Sequence, residues 1–300
     1  MSATMLQMVQ QVTAELNLTV PTYVAGNPSQ DTQQILALMN GAGYDLLKEY
    51  DWQMLEKEYR FYTQFLNATA TSQQGSYVLT NVSNTTGLTT QYSVTGYNVN
   101  QDTYVVSVDS PTQVTLSQEC SLSGTNSVLF AQTIYNLPFD FETITDRTHW
   151  DKTKHWEMLG PEDAQQWQWL KSGYISTGPR VRWRILGGTF QVWPPMNTQE
   201  YLGFEYRSNA WAQSASGTPQ QSLVNDTDTA LFDTRIMVLY TKLKYFQVKG
   251  FDTTSLMQDY QRYLSIAKAN DKGTPNLSFN PNPSKVLIGW ANIPDTGYGT

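Results

Sequence analysis

Between Arg60 and Arg147 the chain carries neither lysine nor arginine. Inside that gap, residues 67–130 are rich in Thr, Ser and Val. Turn signals break them at Gln74-Gly75, at 84–87 and at Asp109-Ser110-Pro111. Short alternating runs lie between the turns, at 77–79, 104–108, 114–116 and 128–130. Alternation at period two, bounded by Gly, Pro, Asn and Asp, reads as strands. The segment is too long for a loop and predicts a small all-β unit, sandwich or barrel in type, inserted into the chain. A stretch without cations cannot hold phosphates, which argues against ordinary nucleic-acid recognition there.

Both ends of the chain have the other period. Met5, Met8, Val9, Val12 and Leu16 recur at helical spacing, so 3–17 reads as an amphipathic helix. Asp31 and Gln34 suit a capping box ahead of Ile35, Met39, Ala42 and Leu46, which predicts a helix over 32–51. At the far end, Asp226 or Asp228 is positioned to cap a helix running to Gly250 over 228–249. A second helix, over 253–269, buries Leu256, Met257, Tyr260, Leu264 and Ala267. The expected fold class is α+β: a bundle of amino- and carboxy-terminal helices with a β-sheet region and the inserted β unit. The expected division is 1–66 plus 131–272 as a discontinuous core, 67–130 as the insertion and 273–300 as an extended arm.

Six of the nine Trp residues lie between Trp150 and Trp193, which marks a dense core. The stretch from Ile134 to Trp169 starts as a short strand. It ends in a helix near Pro161, with Glu162 and Asp163 in the first turn. Gly187-Gly188 then supplies the positive φ angles of a two-residue hairpin turn. In that register Trp183 faces Val192, Ile185 faces Phe190 and Arg182 faces Trp193. Val181, Trp183, Ile185, Phe190 and Val192 form an apolar face. Arg180, Arg182 and Arg184 form the other, with Trp193 as a cation–π partner for Arg182. That face is read as a partner or subunit surface. Residues 201–206 continue as a strand, and 212–227 read as a polar loop.

Composition narrows the function classes. The chain is 15% charged with net charge −7, against 40% hydrophobic and 13% aromatic residues. A surface poor in charge and rich in Tyr and Trp suits large protein contacts. Cys120 stands alone, so no intrachain disulfide framework is expected. The amino terminus lacks a basic region and a long apolar run, and no stretch approaches a bilayer span, so a soluble protein made in a cytoplasm is expected. His149 and His155 lack the companions of a metal site, and no cofactor motif is present. Asp140, Glu142, Asp146 and Asp151 include the residue types of a glycosidase pair. Turn caps and ion pairs with Arg147, Lys152 and Lys154 are the expected roles, and no enzymatic activity is expected. The tail holds Val286, Leu287, Ile288, Trp290 and Ile293 among prolines, the pattern of a docking peptide.

Two resemblances follow. Residues 87–130, with a Val-x-Gly turn, Thr-x-Val-x-Ser-Val-Asp and Thr-x-Val-Thr-Leu-Ser, resemble a β-rich module recurring in bacteriophage virion proteins. The discontinuous core resembles bacteriophage head-to-tail adaptors of the connector or tail-tubular-protein-A type. The features that carry it are a helix pair ending in Asp51-Trp52, Tyr135-Asn136-Leu137-Pro138-Phe139-Asp140-Phe141, Trp193-Pro194-Pro195 and Lys249-Gly250-Phe251-Asp252. What the resemblance implies is a structural virion protein at the head–tail neck. It would form a homo-oligomeric ring, usually twelvefold, that binds the portal, receives the next tail or nozzle component and passes genomic DNA through its lumen without specific binding. It assigns the arm residues 286–293 to the portal, with no cofactor and no membrane. Two alternatives remain: a virion glycan hydrolase using two of the four carboxylates, and an adhesin whose 67–130 unit holds a glycan on Tyr77, Tyr92, Tyr97, Tyr104 or Phe130.

Overall fold

Helix α1 (Met5–Glu15) begins at Thr4, whose hydroxyl accepts from Gln7 N while the Gln7 side chain accepts from Thr4 N. The computed structural model describes residues 3–172 and 181–272. Helix α2 (Gln30–Glu49) starts two residues earlier than its sequence suggests. Its N-cap is Ser29, without a side-chain cap bond, and Asp31 falls inside the first turn, where a carboxylate suits the helix dipole. A 3₁₀ turn at Gln53–Leu55 leads into β1 (Glu56–Tyr62) and β2 (Phe65–Ser72). Then come β3 (Val78–Leu79), β4 (Tyr92–Gly96), β5 (Thr103–Ser110), β6 (Gln113–Leu116) and β7 (Gly124–Gln132). The central stretch gives β8 (Ile134–Asn136), β9 (Phe141–Ile144), β10 (Trp150–Asp151), β11 (Trp156–Glu157) and α3 (Ala164–Lys171). Strands β12 (Arg182–Leu186), β13 (Thr189–Trp193) and β14 (Tyr201–Ser208) follow, then β15 (Ala212–Gln213), β16 (Pro219–Gln220) and β17 (Thr229–Ala230). Helices α4 (Thr234–Lys249) and α5 (Thr254–Lys272) close the described chain.

The architecture is mostly β, and the expected helical bundle carrying an inserted domain is not what forms. Seventeen strands against five α-helices are present among the described residues. They make four antiparallel sheets. The largest runs in the order β2-β7-β4-β5-β6-β3. Thr71 on β2 exchanges backbone bonds with Thr80 beside β3, at 2.8 and 2.9 Å, so this sheet nearly closes into a barrel. Its root is continuous with the other sheets. Strand β1 passes into β2 across Thr63-Gln64, and β7 into β8 across Thr133. Thr133 N donates to Gln91 O, and Val192 N donates to Thr133 O. Helical periodicity at the chain ends is real, but the strands between the ends, several of them seven to nine residues long, dominate the fold.

A second sheet joins β1, β14, β10 and β11, with β9 also on β14. A third, β12-β13-β8, contains the hairpin in its expected register, with Trp183 opposite Val192, Ile185 opposite Phe190, and positive φ at Gly187 and Gly188. These two sheets share a core of Trp183, Phe190, Leu202 and Phe204, where the Phe190 and Phe204 rings stack at 4.9 Å. The supposed polar loop at 212–227 instead supplies β15 and β16, which pair with β17 in a small fourth sheet. Helices α1, α2, α4 and α5 bury one continuous core with Trp52, Trp211 and Phe232. A Cβ built on Gly43 of α2 would lie 2.4 Å from the Trp211 indole, so only glycine allows that approach. The cap of α4 is Asp233, not Asp226 or Asp228. Those two hold loops: Asp226 accepts from Val24 N and Ala25 N, and Asp228 from Val224 N and Asn225 N.

Candidate partner-binding surface

The carboxylates of the central stretch do not converge. Asp140 is buried; its Oδ2 accepts from Lys57 Nζ at 2.7 Å and Ser208 Oγ at 2.6 Å, and its Oδ1 from the Tyr206 hydroxyl at 2.8 Å. Burial pushes this carboxyl up, but the bonds from Lys57, Ser208 and Tyr206 outweigh it and hold it below its ordinary value. The site therefore ties β1, β14 and the Leu137-Pro138 turn together as a fixed anion. Glu142 pairs with Lys48, and Asp146 is exposed. Asp151 is buried and caps its own turn, with Oδ1 accepting from Thr153 N and Lys154 N at 3.0 and 3.1 Å. Burial and the nearby Glu200 charge raise its pKa. The cations expected to serve these groups go elsewhere: Lys152 pairs with Glu58 and Lys154 with Glu200.

Of the four carboxylates, only Asp151 lines an open cleft of about 650 Å³, with Glu58, Lys152 and Glu205. Glu58 is held down to about 2 by hydrogen bonds from Arg60 and Lys152, one on each oxygen. A nucleophile or acid needs a free oxygen aimed at a substrate. Both Glu58 oxygens are taken by cations, and Asp151 is committed to its turn. His149 is buried against Trp183 at 4.8 Å, and burial lowers its pKa, so its imidazole is neutral near pH 7. Among the described residues no group of three His, Cys, Asp or Glu could hold a metal.

The hairpin's polar face also differs from its reading. Arg182 donates to Glu162 at 2.6 Å rather than stacking on Trp193. Trp193 is only 2% exposed, buried with Trp167 and Leu170 under α3, so it is not a surface residue. Lys171 sits over its ring at 5.9 Å and reaches Asp102 at 2.8 Å, joining α3 to the six-stranded unit. A helix eight residues long, with few apolar positions, gives little sign of covering a tryptophan. Arg184 is half-buried, and Arg180 lies outside the described residues. Of the aromatics considered for a glycan, Tyr92 and Phe130 are core, while Tyr77, Tyr97 and Tyr104 face outward.

Several large apolar side chains are exposed. In the Tyr135–Phe141 stretch, Asp140 is buried while its neighbour Phe139 is 71% exposed. On the α4–α5 hairpin, Val248 and Phe251 are exposed. Helix α5 buries Tyr260 and Leu264 against α4 but leaves Met257, Tyr263 and Ile266 uncovered. Tyr263 and Ile266 form one wall of a groove of about 530 Å³. Trp52, Phe232 and Ile236 form its buried floor, and Met54 stands at its edge. The Trp52 indole donates to Leu46 O at 2.7 Å, which fixes the floor. Arg235 lies over the Tyr263 ring at 5.8 Å, and Asp271 accepts from Gln53 N and Met54 N at the rim. No protein-family model matches the chain, and no curated protein matches it. The arm residues Val286, Leu287, Ile288, Trp290 and Ile293 lie outside the described residues.

Proposed function

We propose that the chain is a structural subunit of a ring joining a bacteriophage head to its tail. Its carrying observation is the pair Tyr263 and Ile266, exposed on α5 in the wall of the groove, with exposed Met54 at its edge. Exposed apolar side chains gathered at a groove with charged residues in its lining mark a protein contact. In a closed ring each copy covers such a face on its neighbour. The portal would lie on one side and the next tail or nozzle component on the other, with assembly at the neck from subunits made in the host cytoplasm.

The cation pattern supports a lumen that does not grip DNA. Among the described side chains, twelve Lys and Arg are in ion pairs within the chain, while Arg147, Arg184, Lys249 and Arg262 are not. Phosphate binding needs cations free to release counterions. The same holding of Glu58 and Asp151 disfavours a hydrolase. No helix among the described residues is long and apolar enough to cross a membrane. The reading is tested by the mass of the purified chain across micromolar concentrations. A discrete ring species is expected, and a monomer at every concentration would reject it.

A further inference from the structure

The groove between α5, the Gln53–Leu55 turn and the start of α4 lies at the very end of the described chain. Asn270 and Asp271 line it, and Lys272 is the last described residue. Beyond it come thirteen residues, 273–285, with prolines at 275, 281 and 283, and then the apolar run 286–293. We propose that this groove receives segment 286–293 of a second copy of the chain, so that neighbours exchange arms. The inference rests on the ring reading, which supplies a neighbour in a fixed place.

Three observations select this occupant. The groove is lined by Trp52, Phe232, Ile236, Tyr263 and Ile266, with Asp233, Arg235, Asn270 and Asp271 beside them, and its volume of about 530 Å³ is in the range that holds a compact, largely apolar ligand. The run 286–293 supplies such a ligand, Trp290 with Val286, Leu287, Ile288 and Ile293, and is denser in apolar side chains than the spacer, which has Leu277 and Phe279. Tyr263 on the wall, with Arg235 over its ring, gives an indole an aromatic and cationic neighbour. Reach is the third. Thirteen residues, three of them proline, reach up to about 40 Å at roughly 3.1 Å each. A subunit of this length has a radius of gyration of about 19 Å, so equivalent grooves on ring neighbours lie about one spacer apart. A copy's own groove starts where the spacer starts, and the spacer would have to fold back to use it. The resemblance sends the arm to the portal; the groove offers a seat on the ring itself.

The experiment uses two full-length variants with different tags, Ile266→Cys on the groove wall and Trp290→Cys on the arm, co-expressed and then oxidised. Cys120 is buried and serves as its own control in the unaltered chain. A covalent dimer holding one of each variant is expected, several-fold above either variant alone. The doubly substituted chain should give linked oligomers. If it gives only an internally linked monomer, the arm docks on its own subunit and the exchange is wrong. If no link forms, as when the arm belongs to the portal, the groove is not its site. Closed rings without the link would overturn this inference and leave the ring standing; linked pairs without rings would do the reverse. As a second measure, Ile266→Glu, on an exposed position, should raise the concentration for half-assembly about tenfold, and truncation after Lys272 should match it. Unchanged assembly in both variants would also overturn the exchange.

Discussion

In the helical layer the side chains that fasten one element to the next are charged. Glu15 on α1 pairs with Arg235 and Lys242 on α4, Asp45 on α2 with Lys244, and Glu49 with Lys268 on α5. In the six-stranded unit the same work falls to hydroxyls and amides. Thr71 bonds Thr125 at 2.9 Å, Asn98 donates to Ser72 Oγ at 2.9 Å, and Asp109 accepts from Ser107 and Thr115. Among the described residues one ion pair touches that unit, Asp102 with Lys171, and it points out to α3. The absence of lysine and arginine from 61–146 is therefore a different way of satisfying polar groups, not a lack of cross-links. Hydrogen bonds from uncharged donors weaken little with salt, whereas ion pairs between part-exposed groups weaken more.

The two regions also have separate cores, and the largest expected effects come from there. Phe130 is fully buried at the centre of the barrel-like unit with Val94, Val105 and Val114. Phe130→Ala should cost about 3–5 kcal/mol through lost burial and a cavity, read as a drop in the denaturant midpoint. Its counterpart is Gly43→Ala in the helical layer, where the added methyl meets the Trp211 ring. Overpacking should cost about 1–3 kcal/mol, with the loss seen in the helical circular dichroism signal. A stable Gly43→Ala protein would show that Trp211 can move, and the contrast between two rigid cores would fail.

A smaller effect sharpens the charge contrast. The Glu15 carboxyl is raised by burial but held below its ordinary value overall by Lys242, Gln11 and Arg235. Asp109 is held low by hydrogen bonds from Thr115 and Ser107. Both values are depressed, so each group contributes stability above its unfolded value, about pH 4. That contribution is lost as pH falls through the folded value. Carbon-detected NMR titration in low salt should show both low. In about 1 M salt, where the screening length is about 3 Å, Glu15 should move back up and Asp109 should stay. Equal movement of the two would break the comparison.

What the sequence disclosed follows from how local each signal is. The hairpin register was legible because Gly187-Gly188 and the alternation on either side fix it within thirteen residues. Helix existence was legible from spacing, but caps were not. Three aspartates precede α4, and which one caps it depends on the loops that Asp226 and Asp228 hold in space. Strand β2 is rich in Ala and Thr, so its period is weak, and its identity comes from pairing with β7 over eight residues. The fold class was misjudged for the same reason, since two-residue strands such as β15 to β17 exist only through partners. At the site, Lys57 and Asp140 lie 83 positions apart, and the groove is assembled from four separated segments. No local pattern encodes either.

The ring is the claim on which the functional account rests, and imaging tests it most directly. The full-length chain, incubated with portal-bearing capsids and viewed by electron microscopy, should appear as a closed ring seated on the portal vertex. Bare vertices beside free monomers, at concentrations where the chain is folded, would contradict it.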